Sequence, residues 1–461
     1  VATLASFLTP FMGSSINVAL PAIGRDFGLD AVTLSWVPTS FLLAAAVCLV
    51  PFGKGGDIHG RKRVFTWGLL VYAATSLLCA LAPSASWLIG ARVAQGVGGA
   101  MIFGTSVAIL SSVIPAQRRG AALGVNVAAV YLGLSLGPFL GGLLTDRLGW
   151  RRIFELNAVL GLLTASIVVA RLPGEWAAAK GARLDLAGSG LYALGLAAIM
   201  YGLSRLPTAS GAELIVAGLG AMAAFVWWEL RSESPVLEIA LFRDNRVFAL
   251  SNLAALINYG ATFAVGFLLS LYLQYAKGLT AQAAGVVLVA QPIVQALVSP
   301  FAGRLSDRVE SRIVASSGMG LIVAGLALLA LLSEGTPLGH VVACLVLLGF
   351  GFGLFSSPNT NAVMGAVAMP FYGVASATLA TMRLVGQMLS MGIAMLILGL
   401  YLGPRTITPA RHAALLEGTR TAFGAFAALC VLGTLASLAR GGRAPCEPMA
   451  SGSNAATPPL A

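Results

Sequence analysis

The stretch Gly53-Lys54-Gly55-Gly56-Asp57-Ile58-His59-Gly60-Arg61-Lys62-Arg63 separates two apolar runs, 33–53 and 64–82. Each run has the length that crosses a hydrocarbon core, and the glycines let two helix ends approach closely and turn. The skeleton returns once. Gly53, Asp57 and the following Val64 recur at a constant offset as Gly303, Asp307 and Val314. Farther out, Gly96-Val-Gly98-Gly99 has a counterpart in Gly349-Phe-Gly351-Phe-Gly353, and Gly120 and Gly133 match Gly373 and Gly386. An internal repeat of this kind predicts two equivalent helical halves.

The runs number fourteen: 1–23, 33–53, 64–82, 86–113, 120–145, 151–171, 185–205, 212–230, 247–274, 281–302, 312–332, 338–358, 373–401 and 421–439. The predicted fold is therefore an all-α membrane protein of two six-helix pseudo-repeats with a two-helix insert. The N-terminal half spans 1–171, the insert and its loops 172–246, the C-terminal half 247–439, and a Pro-, Ser- and Ala-rich tail at 440–461 reads as disordered. Parallel repeats place a substrate site where the halves meet, near the bilayer midplane.

Composition agrees. Apolar residues make up 58% of the chain, charged residues 10%, and mean hydropathy is +0.89; a soluble domain carries about 25% charged residues. The net charge of +11 is scattered through short loops, as membrane topology predicts, and gives no reason to expect nucleic acid. With the N-terminus in the cytoplasm, seventeen Lys and Arg face the cytoplasm and nine the other side, while Arg92 and Arg383 lie within spans. Both termini are thus expected inside, in a plasma (inner) membrane. Trp36, Trp87 and Trp150 open spans and Trp227 and Trp228 close one, where interfacial indoles belong. The first span starts at Val1, so no cleavable leader is expected. Cys48, Cys79, Cys344, Cys430 and Cys446 form no metal or disulfide pattern, and no cofactor is expected.

Several motifs carry mechanism. The loop at Gly53, Asp57, Gly60 and Arg61 resembles the signature of the major facilitator superfamily, with Ile58 where that signature usually has Arg. The resemblance implies that Asp57 forms a latch that breaks as the halves rock, with Asp307 a weaker copy. Arg92-Val-Ala-Gln95 in span 4 is similar to the family's fourth-helix signature, which implies that Arg92 takes part in proton transfer or holds a carboxylate. In span 5, Gly124, Gly133, Gly137, Pro138, Gly141 and Gly142 match G-x8-G-x3-G-P-x2-G-G, the family's antiporter signature, found in exporters. Small residues there permit close helix packing. The span-13 counterpart has Ser390 and Ala394 in place of glycines.

Span 1, from Phe11 to Pro21, resembles the first-helix motif of the fourteen-helix drug:proton antiporters, although Met12 stands at the family's acidic position. Trp150-Arg151-Arg152-Ile153-Phe154-Glu155-Leu156-Asn157 resembles the opening of their sixth helix, with Arg152 and Glu155 as departures. Glu155 is the one acid well inside an apolar run, and is either a coupling group or the partner of Arg151 or Arg152. Asn17, Asn126, Arg383 and Gln387 are candidates to line a cavity, or equally to join helices. Gly133-Leu-Ser135-Leu-Gly137 fits a nucleophile-elbow spacing, but Ser135 sits in an apolar helix and the chain has only three His. No catalytic cluster, metal site or selectivity filter is present in the sequence. The reading is a transporter working as a monomer, with a small-molecule substrate, protons and lipid as its partners: export of organic or amphipathic compounds coupled to protons. The alternative is a symporter or facilitator for a nutrient.

Overall fold

The computed structural model describes residues 2–113, 119–172, 174–176, 185–232, 235, 237, 239–367, 372–403 and 406–441; the tail predicted to be disordered lies outside them from 442 on. Fourteen helical spans run through the described residues: α1 Ala2–Phe27, α2 Ala31–His59, α3 Arg61–Ala80, α4 Ala85–Val113, α5 Arg119–Leu148, α6 Arg151–Arg171, α7 Leu186–Arg205 and α8 Ala209–Glu229. After a short helix, Ile239–Asp244, come α9 (Arg246–Thr262, Ala264–Leu271 and a π turn Tyr272–Ala276), α10 (Ala281–Leu288 and Ala290–Arg308), α11 Ser311–Leu329, α12 Leu338–Gly365, α13 Tyr372–Leu402 and α14 His412–Ala439. The last span begins earlier than the apolar run at 421 suggested. Glu417 and Arg420 lie one turn apart on it and pair at 3.0 Å, so the helix carries charge that a hydropathy reading excludes.

Side-chain caps fix where several spans start. Asp30 accepts from the N–H groups of Val32 and Thr33 at the head of α2, Asn245 from Phe248 at α9, and Thr280 from Ala283 at α10. Each satisfies a donor that has no partner within its helix.

The repeat seen in the sequence is physical. In the first half α4 packs on α2 and α3, α5 on α1, and α6 on α3; in the second, α12 packs on α10 and α11, α13 on α9, and α14 on α11. The matched glycines occupy matched contacts. A Cβ on Gly98 would lie 2.8 Å from the Tyr72 nitrogen of α3, and one on Gly351 2.6 Å from the Gly318 oxygen of α11. Likewise, a Cβ on Gly133 would stand 2.6 Å from the Phe7 oxygen of α1, and one on Gly386 would strike the Leu256 oxygen of α9. Where span 13 loses its glycines, Ser390 Oγ accepts from the Ala264 N–H at the break in α9. The second half thus trades close packing for a bond at an interrupted helix.

The halves meet along two seams. At the first, a Cβ on Gly285 would strike the Pro138 oxygen, and one on Gly142 would lie 2.5 Å from the Ala281 oxygen. There the Asp146 carboxylate accepts from Ala281 N–H (3.1 Å) and Gln282 N–H (2.7 Å), so the end of α5 caps α10 across the seam. Farther along, Ser299 Oγ donates to Tyr131 Oη at 3.2 Å. At the second seam α2 packs on α13, and α7 of the insert touches both: Trp36 meets Tyr201, and a Cβ on Gly392 would lie 2.8 Å from Leu203. Between the seams, the π turn of α9 turns Gln274 and Tyr275 onto the Val18 and Pro21 carbonyls of α1. Most of these contacts lie toward the face opposite the chain termini.

Replacing Asp146 with Ala removes a helix cap worth ~1 kcal/mol, which favours opening of that face roughly fivefold. Labelling of Ala284→Cys by a membrane-impermeant maleimide should quicken accordingly; an unchanged rate would show that the cap does not hold the seam.

Candidate functional site

The turn between α2 and α3 sits at Gly60, whose φ of +111° disfavours any L side chain. Asp57 pairs with Arg61 at 2.6 Å, and Arg61 Nη1 donates to the Ala108 oxygen of α4 at 3.4 Å. The latch foreseen at Asp57 is therefore, among the described residues, a local ion pair within the first half. A further group that the sequence did not single out completes it. Glu175, in the linker after α6, accepts from the N–H groups of Lys62 (2.8 Å) and Arg63 (3.1 Å), and Arg61 N–H donates to the Trp176 oxygen. A carboxylate on the first turn of α3 suits the helix dipole. A Cβ on Gly60 would lie 2.6 Å from its Cδ, which gives Gly60 a second reason to be glycine.

The insert docks nearby. At the head of α7, partial burial pushes the Asp185 carboxyl up. Hydrogen bonds from Gly188 N–H, Trp228 Nε1 and Ser232 Oγ, with the Lys54 charge, outweigh it and hold the group below the ordinary aspartate value.

In the second copy of the loop the side chain of Asp307 lies outside the described residues. Ser311 stands where the first copy has Arg61, and its carbonyl accepts from Arg440 Nη2 at 2.7 Å. Nη1 of the same guanidinium donates to Asn359 Oδ1 (2.9 Å) and Ser251 Oγ (3.2 Å), so the end of α14 ties α9, α11 and α12 together. Burial, with the nearby Arg312 charge, pulls Arg440 down to about 10.

Arg92 is 1% exposed, and among the described residues no carboxylate lies within ion-pair distance of it. Nε donates to the Val37 oxygen at 3.0 Å, Nη1 donates to Gln95 Oε1 at 2.5 Å, and the guanidinium lies 4.5 Å from the Phe41 ring centroid. Gln95 Nε2 in turn donates to Ser76 Oγ, which donates to the Tyr72 oxygen. The charge is thus held by neutral oxygens and a ring face, and the network joins α2, α3 and α4.

Span 5 presents two faces. Gly133, Gly137 and Gly141, one turn apart, lie against α1: a Cβ on Gly137 would strike Ser14 Oγ, and one on Gly141 would lie 2.7 Å from Ser15 Cα. Ser15 Oγ donates to the Gly137 oxygen at 3.0 Å. Gly142 and Pro138 face α10 instead. Gly124 lies on α5, but its surroundings fall outside the described residues.

The remaining candidates scatter. Glu155 pairs with Arg152 on the first turns of α6, and both are substantially exposed. That favours the ion-pair reading and separates Glu155 from Arg92. Asn17 on α1 stands 3.5 Å from where a Cβ of Gly266 on α9 would be, so it lies at the contact of the halves, and its Oδ1 is buried without a partner. Asn126 is buried on α5, its Oδ1 likewise unpartnered. Arg383 reaches Thr360 on α12 and Tyr259 on α9, and Gln387 lies half-buried one turn farther along α13.

A family model described as Major Facilitator Superfamily matches residues 2–226 and 251–460. The chain belongs to the major facilitator superfamily. It is 31% identical over 380 residues to a riboflavin transporter of Clostridioides difficile, covering 82% of each chain. It is 33% identical over 415 residues to a cephamycin export protein of Amycolatopsis lactamdurans (87% of this chain, 84% of the relative). Identity is 32% over 385 residues to the multidrug resistance protein Stp of Mycobacterium tuberculosis (82% and 71%). Among solved structures, a bacterial homolog of the human lysosomal transporter Spinster superposes with a TM-score of 0.69 at 16% identity, covering 95% of both chains. These superfamily relatives are transporters and not enzymes, in keeping with Ser135 lying mid-helix in α5.

For this superfamily member, Gln95→Leu strips Arg92 of an acceptor and should lower stability by about 2 kcal/mol, read as a fall in the melting temperature in detergent. Adding Arg92→Met should recover part of the loss, because the buried charge goes with its partner. Strict additivity of the two substitutions would show that they form no common network.

Proposed function

We propose that the chain exports small organic or amphipathic compounds by alternating access in exchange for protons, the halves 1–171 and 247–439 rocking as units and the insert 172–246 riding on the α2–α13 seam. The observation that carries this reading is α5 itself. Its glycine spacing matches the antiporter signature throughout, and the same helix packs backbone to backbone on α1 and on α10, so one element belongs to both a half and a seam. Relatives named for multidrug resistance and cephamycin export support an organic cargo. The Lys and Arg asymmetry supports a cytoplasmic position for the terminus-bearing face, and with that orientation the arrangement is closed toward the outside. The chain acts as a monomer, both seams lying within one chain.

In this cycle Asp57, Arg61 and Glu175 hold the cytoplasmic ends of α2, α3 and α6 as one piece. The first-helix acid of the drug:proton antiporters is Met12 here, and Glu155 is engaged by Arg152, so coupling runs through a group other than these two. A second reading, a facilitator or symporter for a metabolite, draws on the same lack of a first-helix acid and on the riboflavin transporter among the relatives.

The deciding experiment is uptake of a dye panel into everted vesicles under an imposed pH gradient. Export predicts accumulation that collapses when the gradient is dissipated; indifference to the gradient favours the facilitator. Gly142→Val, which adds bulk at a backbone contact, should cut transport at least tenfold while Asp57→Asn inserts normally and transports poorly. Wild-type rates in both would remove the seam and the latch from the mechanism.

A further inference from the structure

Arg92, Arg383 and Arg440 are three guanidiniums drawn in among the helices, and they differ in one respect. Arg92 and Arg440 each donate through two nitrogens, Arg92 to Val37 on α2 and Gln95 on its own helix and Arg440 to residues of three other helices. Among the described residues Arg383 makes one hydrogen bond, Nη2 to Thr360 Oγ1 at 2.8 Å, and lies 5.7 Å from the Tyr259 ring centroid. Its Nε is buried with no partner, and among the described residues no carboxylate comes within ion-pair distance. An ionised Arg inside a bilayer costs several kcal/mol unless a partner meets it.

Gln387 follows Arg383 by four residues and so shares its helix face. Phe352 on α12 packs edge-on against Tyr259 at 5.7 Å, which supplies an apolar wall.

The acids are elsewhere. On the spans, Asp26, Asp57, Asp146, Glu155, Glu213, Glu229, Asp307 and Glu417 all lie within two turns of a helix end. Near the middle of the bundle a cationic cargo would meet positive charge with no carboxylate to receive it.

We propose that Arg383, with Gln387 one turn along the same helix, receives the anionic group of the transported compound, so that the cargo is an organic anion: a carboxylate, sulfonate or phosphate on an apolar body. The planar guanidinium suits two oxygens of such a group, and Tyr259 and Phe352 suit an apolar or aromatic body. This rests on the reading of the protein as an exporter of organic compounds. The plainer role for Arg383 is to reach toward the terminus-bearing face as a structural anchor. That role predicts no preference between cargo charges.

Two dyes on one xanthene skeleton separate the two: fluorescein, an anion, and tetramethylrhodamine methyl ester, a cation. Proteoliposomes bearing the full chain should move fluorescein in preference to the cation. Arg383→Gln should raise the KM for fluorescein at least about tenfold, the loss expected for a charge-assisted bond, with kcat little changed. Arg383→Lys should restore part of it. Preference for the cationic dye in the wild type overturns the proposal even if Arg383→Gln fails to fold. An unchanged fluorescein KM in a folded Arg383→Gln overturns it as well. Transport of neither dye counts against the organic-exporter reading itself, and the anion subsite falls with it.

Discussion

Two helix bundles packed side by side in a membrane come closest where the contact carries no large side chains. Here that contact is backbone on backbone along α5. Gly133, Gly137 and Gly141 bring it against α1, while Pro138 and Gly142 bring it against Gly285 and Ala281 of α10. Because lipid offers no hydrophobic drive for helices to associate, such approaches stabilise through dispersion and short polar contacts. Ser15 on the Gly137 oxygen and Asp146 on the head of α10 are of that kind. The remaining helices can be read as support that keeps α5 in register with both neighbours.

The handling of charge follows from the same medium. Arg92 and Arg440 are satisfied by carbonyl, amide or hydroxyl oxygens from several helices, so each ties a half together without needing a carboxylate. Ion pairs occur instead at span ends and in loops, as with Asp57–Arg61, Arg151–Asp26 and Arg152–Glu155, where water and headgroups lower their cost. Each half is thereby tied at its ends, and among the described residues polar atoms without partners include those of Asn17 on α1, Asn126 on α5 and Arg383 on α13.

How much of this the sequence discloses depends on the range of the interaction. Fourteen spans and their two-fold repeat are legible because hydropathy and glycine spacing are local and periodic. Asp57–Arg61 is legible for the same reason, being one helical turn. Glu175, Asp146 and Arg440 are not, because each finds its partners on helices distant in sequence and nothing in the adjoining residues announces them. Arg92 is legible in its position, while its partner Val37 is not, because it comes from the packing of α2 on α4. Ser390 is instructive too: what reads as decay of a glycine pattern is a hydroxyl bonded to the break in α9.

The central claim is that two halves, joined most closely away from the chain termini, exchange which face is open. Spin labels at Leu148 and Leu338 report on that closed face, and labels at Arg63 and Glu310 on the terminus-bearing one. Pulsed dipolar spectroscopy in nanodiscs across a range of pH and with cargo present should show the two distances changing in opposite senses, the first lengthening as the second shortens. Two distances that stay fixed, or that lengthen and shorten together, would contradict the account.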